Sequence, residues 1–244
     1  MIVDAQVHIW GANTPDRPWP GGRSEAHRPG GFSADEALQE MNAAGVDRVV
    51  IAPPSWEGDR NDLALDAARR HPDRFAIMGR LALERPERRG VLDGWKAQPG
   101  MLGLRFTFGS ASQRGWLTDG TAGLKLIIDH LGMPLRTKDD EAFADLPQLR
   151  AMAKRPNVAA KASALPCCSS EPYPYRGVHA RIRQVFDAFG PRRMFWGTDL
   201  TRLPCTYRQA VTLFTEDLPW LAAADQELVM GRGICDWLGW PLPR

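Results

Sequence analysis

Little in this chain is of the kind that marks an export route or a large partner. Cysteine is scarce: Cys167, Cys168, Cys205 and Cys235 lack the spacing of a metal site, and the adjacent pair is a poor disulfide candidate. No apolar run approaches the ~18 residues of a membrane span, and no signal-type apolar segment precedes the first strand. Charge of neither sign predominates, since 31 basic and 29 acidic side chains leave a net of +2 and no footprint for nucleic acid or an anionic membrane. The arginines of Glu84–Arg89 alternate with carboxylates and read as a solvated face. No linker, internal repeat beyond the βα unit or low-complexity tract divides the 244 residues. These absences predict a single cytoplasmic domain acting on a small molecule, with no nucleic-acid or membrane partner. A homodimer is left open.

Core material, by contrast, is ample, with a 43% hydrophobic share and nine tryptophans. Short apolar runs alternate with helical stretches. Strands are predicted at 3–9, 46–53, 75–83, 103–108, 124–131, 158–164 and 193–199. Helices are predicted at 34–44, 61–70, 86–97, 143–154, 178–189, 207–214 and 222–230, and 235–238 is expected to close the bottom. Ser33 followed by Asp35 and Glu36 is an N-cap signal, and Gly45 a stop. The rhythm implies repeated βα units around a parallel sheet, either doubly wound or barrel. It fails once, at 109–123, where a glycine-rich stretch without helical period is a poor parallel crossover. A second irregular stretch, 11–32, is long enough to be a lid or rim.

In the first strand Val3, Ala5, Val7 and Ile9 alternate with Asp4, Gln6 and His8, so the polar groups are expected on one face, looking into a polar cavity. Further polar residues fall near the C-terminal ends of other strands: Arg105, His130, Lys161, Ser163 and Asp199. That placement favours a barrel, where strand C-termini carry the active site.

Asp4–Trp10, Gly103–Phe106, Ile128–Gly132 and Phe195–Asp199 resemble, in order and spacing, the amidohydrolase-2 family and within it the pyrone-lactonase branch. The resemblance spans nearly the whole chain. It implies a (β/α)8 TIM barrel of the metal-dependent-hydrolase type and an enzyme that is a hydrolase, lactonase or decarboxylase. Two departures stand out. Gln6 occupies the place of the first residue of the family's His-x-His or Glu-x-His. A fifth βα unit of roughly 35–45 residues is missing, which implies a gap or deletion between Ala122 and Gly123.

The chemistry expected is hydrolysis of a small carboxylated cyclic ester. Asp199 would serve as general base to water, and His8 and His130 would polarise the carbonyl. Arg105, Lys161 and Arg176 would face an anionic substrate, with Gln6, Ser163 and Tyr175 as further wall residues. No metal is favoured, because an amide oxygen from Gln6 is a poor zinc ligand and the fifth-strand histidine of metal-bearing relatives is absent. If a zinc or manganese ion were held, His8, Asp199 and Gln6 would hold it. The alternatives are a metal-dependent decarboxylase of an aromatic or unsaturated acid, and a catalytically inactive barrel that binds a ligand.

Overall fold

A computed structural model describes residues 1–20, 25–83, 85–106 and 124–243. β1 (Val3–Val7), β2 (Arg48–Ile51), β3 (Phe75–Gly79) and β4 (Met101–Leu104) lie side by side in parallel. β5 (Leu126–Ile128), β6 (Val158–Ala162) and β7 (Met194–Trp196) form a second parallel arc. The arcs meet beyond the end of β7, where the Asp199 N–H donates to the Gln6 carbonyl at 2.9 Å and the Thr198 N–H to Asp4 Oδ1 at 2.9 Å. Strand order therefore follows the chain around the wall without reversal, as in a (β/α)8-type barrel and unlike a doubly wound sheet. The expected gap between Ala122 and Gly123 lies outside the described residues. Among the described residues no helix is long and apolar enough to cross a membrane.

The helix α1 (Ala34–Ala44) forms where its local signals place it. Ser33 Oγ accepts from the Glu36 N–H at 3.1 Å, Glu36 Oε2 accepts from the Ser33 N–H at 2.7 Å, and Gly45 turns out of the helix at φ 75°. α2 (Asp62–Arg70) lays Ala64, Ala67 and Ala68 on the sheet. Elsewhere the expected elements shorten for identifiable reasons. Residues 86–97 form 3-10 turns, with Gly90 and Gly94 inside the segment. The helix expected from 143 runs only from Leu146 to Met152, because Pro147 has no N–H to give and fits only a first turn. β5 ends at Ile128 because His130 and Leu131 adopt left-handed backbone, φ 53° and 52°. At the C-terminus the chain stays helical longer than expected, from Ala223 through a π turn to Leu238.

β1 departs from simple alternation. Its pairing with β2 shifts register between Asp4 and Val7, the signature of a bulge. Val3 and Ala5 pack inside the barrel with Val50, Ala76, Ala159 and Phe195. Val7 and Ile9 belong to the outer core beneath the helices, with Met41, Val49 and Ala64. Asp4 is bonded to Thr198 and Tyr207, whereas Gln6 and His8 reach other strand ends. The expectation of one continuous polar face is corrected accordingly.

The inner layer is closed from below by Ile234, Cys235 and Trp240, as expected of the C-terminal segment. Arg48 fastens this plug, with its guanidinium 3.7 Å from the Trp240 ring centroid and Nη1 donating to the Pro241 carbonyl at 2.8 Å. Small and apolar residues thus fill the floor of the barrel, and a polar layer sits above them.

Candidate active site

Asp199 follows β7 in left-handed backbone, φ 56°, and is buried to 1% exposure. Arg202, one turn on, holds its Oδ2 through Nε at 3.1 Å. Oδ1 lies 3.2 Å from His8 Nε2, yet it is buried without a hydrogen-bond partner. The reason lies in the tautomer of His8. Its Nδ1 contacts the Ala52 carbonyl, which can only accept, so Nδ1 carries the hydrogen. Burial lowers the His8 pKa to about 4, against the pull of Asp199, so at neutral pH the ring is uncharged and Nε2 presents a bare lone pair. Two acceptors therefore face each other at 3.2 Å. Such a pair is stable when a cation or a donor lies between them.

His27 stands beside this pair. Its side chain is 3% exposed, Nδ1 lies 4.0 Å from Asp199 Oδ1 and 2.7 Å from Thr201 Oγ1, and Nε2 is buried without a partner. One ligand atom from each of His8, His27 and Asp199 can be chosen so that all lie within 4.8 Å of one another. Two imidazoles and a carboxylate suit zinc or manganese, so this donor set fits a divalent cation. Gln6, expected as a ligand if a metal were held, does not join it. Its Oε1 accepts from Lys161 Nζ at 2.9 Å, and its Nε2 donates to His130 Nε2 at 3.3 Å. Because Lys161 can only donate, it fixes which end of the amide faces which partner.

A connected polar chain crosses the barrel mouth from there. Lys161 Nζ also meets Asp129 Oδ1 at 2.8 Å, and Asp129 Oδ2 meets Arg105 Nε at 3.1 Å. Burial alone would raise the Asp129 pKa, but Lys161 and Arg105 hold it well below the usual carboxylate range. His130, its Nε2 occupied by Gln6, directs Nδ1 to Ser163 Oγ at 2.9 Å. Burial lowers its pKa too, despite Asp199 3.8 Å away. Lys161, Arg105 and Asp129 together leave one net positive charge at the mouth.

The structure thus brings together Gln6, His8, Arg105, His130, Lys161, Ser163 and Asp199. Two expected wall residues stand apart among the described contacts. Tyr175 is buried with its hydroxyl bonded to Cys205, and Arg176 is exposed at the start of the helix Arg176–Phe189. His27 and Arg202 escaped sequence reasoning. The available signal was small: His27 is one of five histidines and sits in the stretch read as a rim, while Arg202 lies one helical turn beyond Asp199.

The fold is a (β/α)8-type barrel with a polar site at its mouth, and comparison with known proteins places it beside one family. The family model described as Amidohydrolase matches residues 119–236, in line with the resemblance read from the sequence. An amidohydrolase from Burkholderia multivorans with bound zinc superposes at TM-score 0.79 and 20% identity, over 99% of this chain and 100% of that one. A probable 2-pyrone-4,6-dicarboxylic acid hydrolase from Acinetobacter baumannii with citric acid bound gives 0.75 and 15%, over 98% and 99%. A 5-carboxyvanillate decarboxylase from Novosphingobium aromaticivorans, complexed with manganese and a nitrobenzoic acid, gives 0.63 and 14%, over 98% and 96%. No curated protein matches the chain. At these identities the neighbours establish the barrel fold.

Proposed function

We propose that the protein hydrolyses a small carboxylated cyclic ester, with Asp199 as general base. The observation that carries this reading is the Asp199 carboxylate oxygen, buried at the barrel mouth without a hydrogen-bond partner. Asp199 takes a proton from water as the water oxygen bonds to the ester carbonyl carbon. The ring C–O bond then breaks, and the proton passes to the departing alkoxide, leaving a hydroxy acid. Burial would raise the Asp199 pKa, and His8, His130, His27 and Arg202 pull it down; at neutral pH, where His8 is uncharged, the Arg202 guanidinium on Oδ2 carries that pull.

Roles assigned from sequence change in one respect. Neither His8 nor His130 has an N–H left to polarise a carbonyl, because each Nδ1–H is taken and the second nitrogen of each is an acceptor. A divalent ion held by His8, His27 and Asp199 would supply that polarisation and make bound water more acidic. His130 and Gln6 act as positioning residues instead. Arg105 and Lys161 supply the net positive charge that an anionic substrate needs. Decarboxylation of an aromatic acid is the second reading, favoured by the same donor set and by the manganese-bearing decarboxylase neighbour.

The test follows the ultraviolet absorbance of carboxylated pyrones and lactones, metal-loaded, with the wild type and Asp199→Asn. Ring opening by the wild type, and at least a roughly 100-fold lower rate in a variant of unchanged circular dichroism, is expected. Near-normal turnover by Asp199→Asn removes Asp199 from the role of base. Release of carbon dioxide from carboxylated phenols, without lactone opening, replaces the first reading with the second.

A further inference from the structure

The segment that carries His27 has no place in the barrel wall, and sequence periodicity gives it no role. It is nevertheless held. Trp10 and Phe32 exchange backbone hydrogen bonds at 2.9 Å, and the Trp10 indole donates to the Gly30 carbonyl at 2.8 Å. Nearer its start, Arg17 binds the buried Glu57 at 2.5 Å and the exposed Asp62 at 2.6 Å. Between these anchors His27 enters an aromatic box, its ring centroid 4.7 Å from Trp56, 5.5 Å from His8 and 6.2 Å from Trp10. A histidine used only for packing would have both nitrogens satisfied or one in water. This one keeps Nε2 buried and unpartnered, while its Nδ1 lies 4.0 Å from a carboxylate oxygen in the same condition.

We propose that His27 is a ligand to a divalent metal ion shared with His8 and Asp199, so that binding the ion and seating residues 25–32 against the barrel mouth are one event. The strand-end position two residues before His8 cannot fill this role, since Gln6 Oε1 is bound by Lys161. Ligand bonds of about 2.0–2.1 Å put neighbouring donors of a tetrahedral shell roughly 3.3 Å apart. His8 Nε2 and Asp199 Oδ1, at 3.2 Å, already match such an edge. His27 Nδ1, at 4.0 Å from the same oxygen, needs a movement below about 1 Å and exchanges its Thr201 Oγ1 contact for the ion. His8 follows directly on β1 and Asp199 lies three residues beyond β7, so the adjustment falls to the irregular chain that carries His27. The ion would supply to the segment the fixed contact that its own sequence lacks. This holds whichever reaction the site performs.

The experiment titrates chelator-treated protein with zinc in competition with a chromophoric chelator, and measures hydrogen exchange of residues 25–32 with and without zinc. Wild type is expected to bind one equivalent, with slower exchange in the zinc form. His27→Ala and the bulkier His27→Gln should each lose at least roughly 100-fold in affinity and show no zinc-dependent slowing, while His71→Ala, remote from the site, binds as wild type. Wild-type affinity in either folded His27 variant overturns the proposal, as does failure of the wild type to bind. Tight binding with unchanged exchange at 25–32 overturns the coupling of ion to segment. None of these readouts depends on turnover, so lactone opening can fail while the metal site stands, and the reverse.

Discussion

Replacing Lys161 by methionine tests the polar layer at its most connected point. Lys161 Nζ is the donor that both Asp129 Oδ1, at 2.8 Å, and Gln6 Oε1, at 2.9 Å, rely on, and its side chain is 4% exposed. Methionine keeps the stem and removes the donor. Gln6 Oε1 is then buried without a partner, at a cost of about 1–3 kcal/mol. Asp129 keeps Arg105 and is 24% exposed, so the loss on that side is smaller than for a fully buried pair, about 1–2 kcal/mol. Together these give about 2–5 kcal/mol, or roughly 4–20 °C in a chain of this size. Urea unfolding of chelator-treated protein at pH 7 measures it. Adding Gln6→Leu removes the stranded oxygen, so the double variant should be more stable than the sum of singles by about 1 kcal/mol or more. A Lys161→Met protein within about 0.5 kcal/mol of wild type, or strict additivity in the double variant, refutes the reasoning.

Two other outcomes are expected of the metal-free protein. The unfolded chain takes up a proton on His8 near pH 6.5, which the folded site refuses until about pH 4. Stability should therefore fall as pH drops through that window, by about 3 kcal/mol from this residue, and the contribution should level off below it. A His8→Asn variant with the same acid limb as wild type in urea titrations from pH 7.5 to 4 contradicts this. Tyr207→Phe removes the hydroxyl that donates to buried Asp4 at 2.8 Å and should cost about 1–2 kcal/mol in the same assay. A neutral effect means that Asp4 does not depend on that bond.

Features set by neighbours a few residues apart were legible in the sequence. Ser33, Glu36 and Gly45 delimit α1 because a capping box and a left-handed stop are local chemistry. The strand run and the polar strand ends were legible for the same reason, since periodicity reports burial. The aim of those side chains was not. A bulge costs one residue of register and leaves no mark in an alternating pattern, so the pattern puts Asp4 on one face with Gln6 and His8, whereas the fold turns it toward Thr198 and Tyr207. That the Gln6 oxygen is taken is not legible in the sequence, because its partner, Lys161, stands 155 residues away. His27 was overlooked because an aperiodic loop says nothing about where its one imidazole ends up. The helix at 143–154 was overextended by neglecting Pro147, a signal that was available.

Asp4 looks away from the barrel mouth, yet it ties the strand that carries His8 to the one that carries Asp199. Its carboxylate receives the Gln6 and Thr198 N–H groups at 2.9 Å each, the Thr198 hydroxyl and the Tyr207 hydroxyl, and burial pushes its pKa up to about 6. His8 and Asp199 are therefore mounted on one rigid part, clamped from outside the cavity they serve. Damage to that clamp, at Tyr207 for example, would reach the site as misalignment and would register in turnover before any residue lining the cavity had changed.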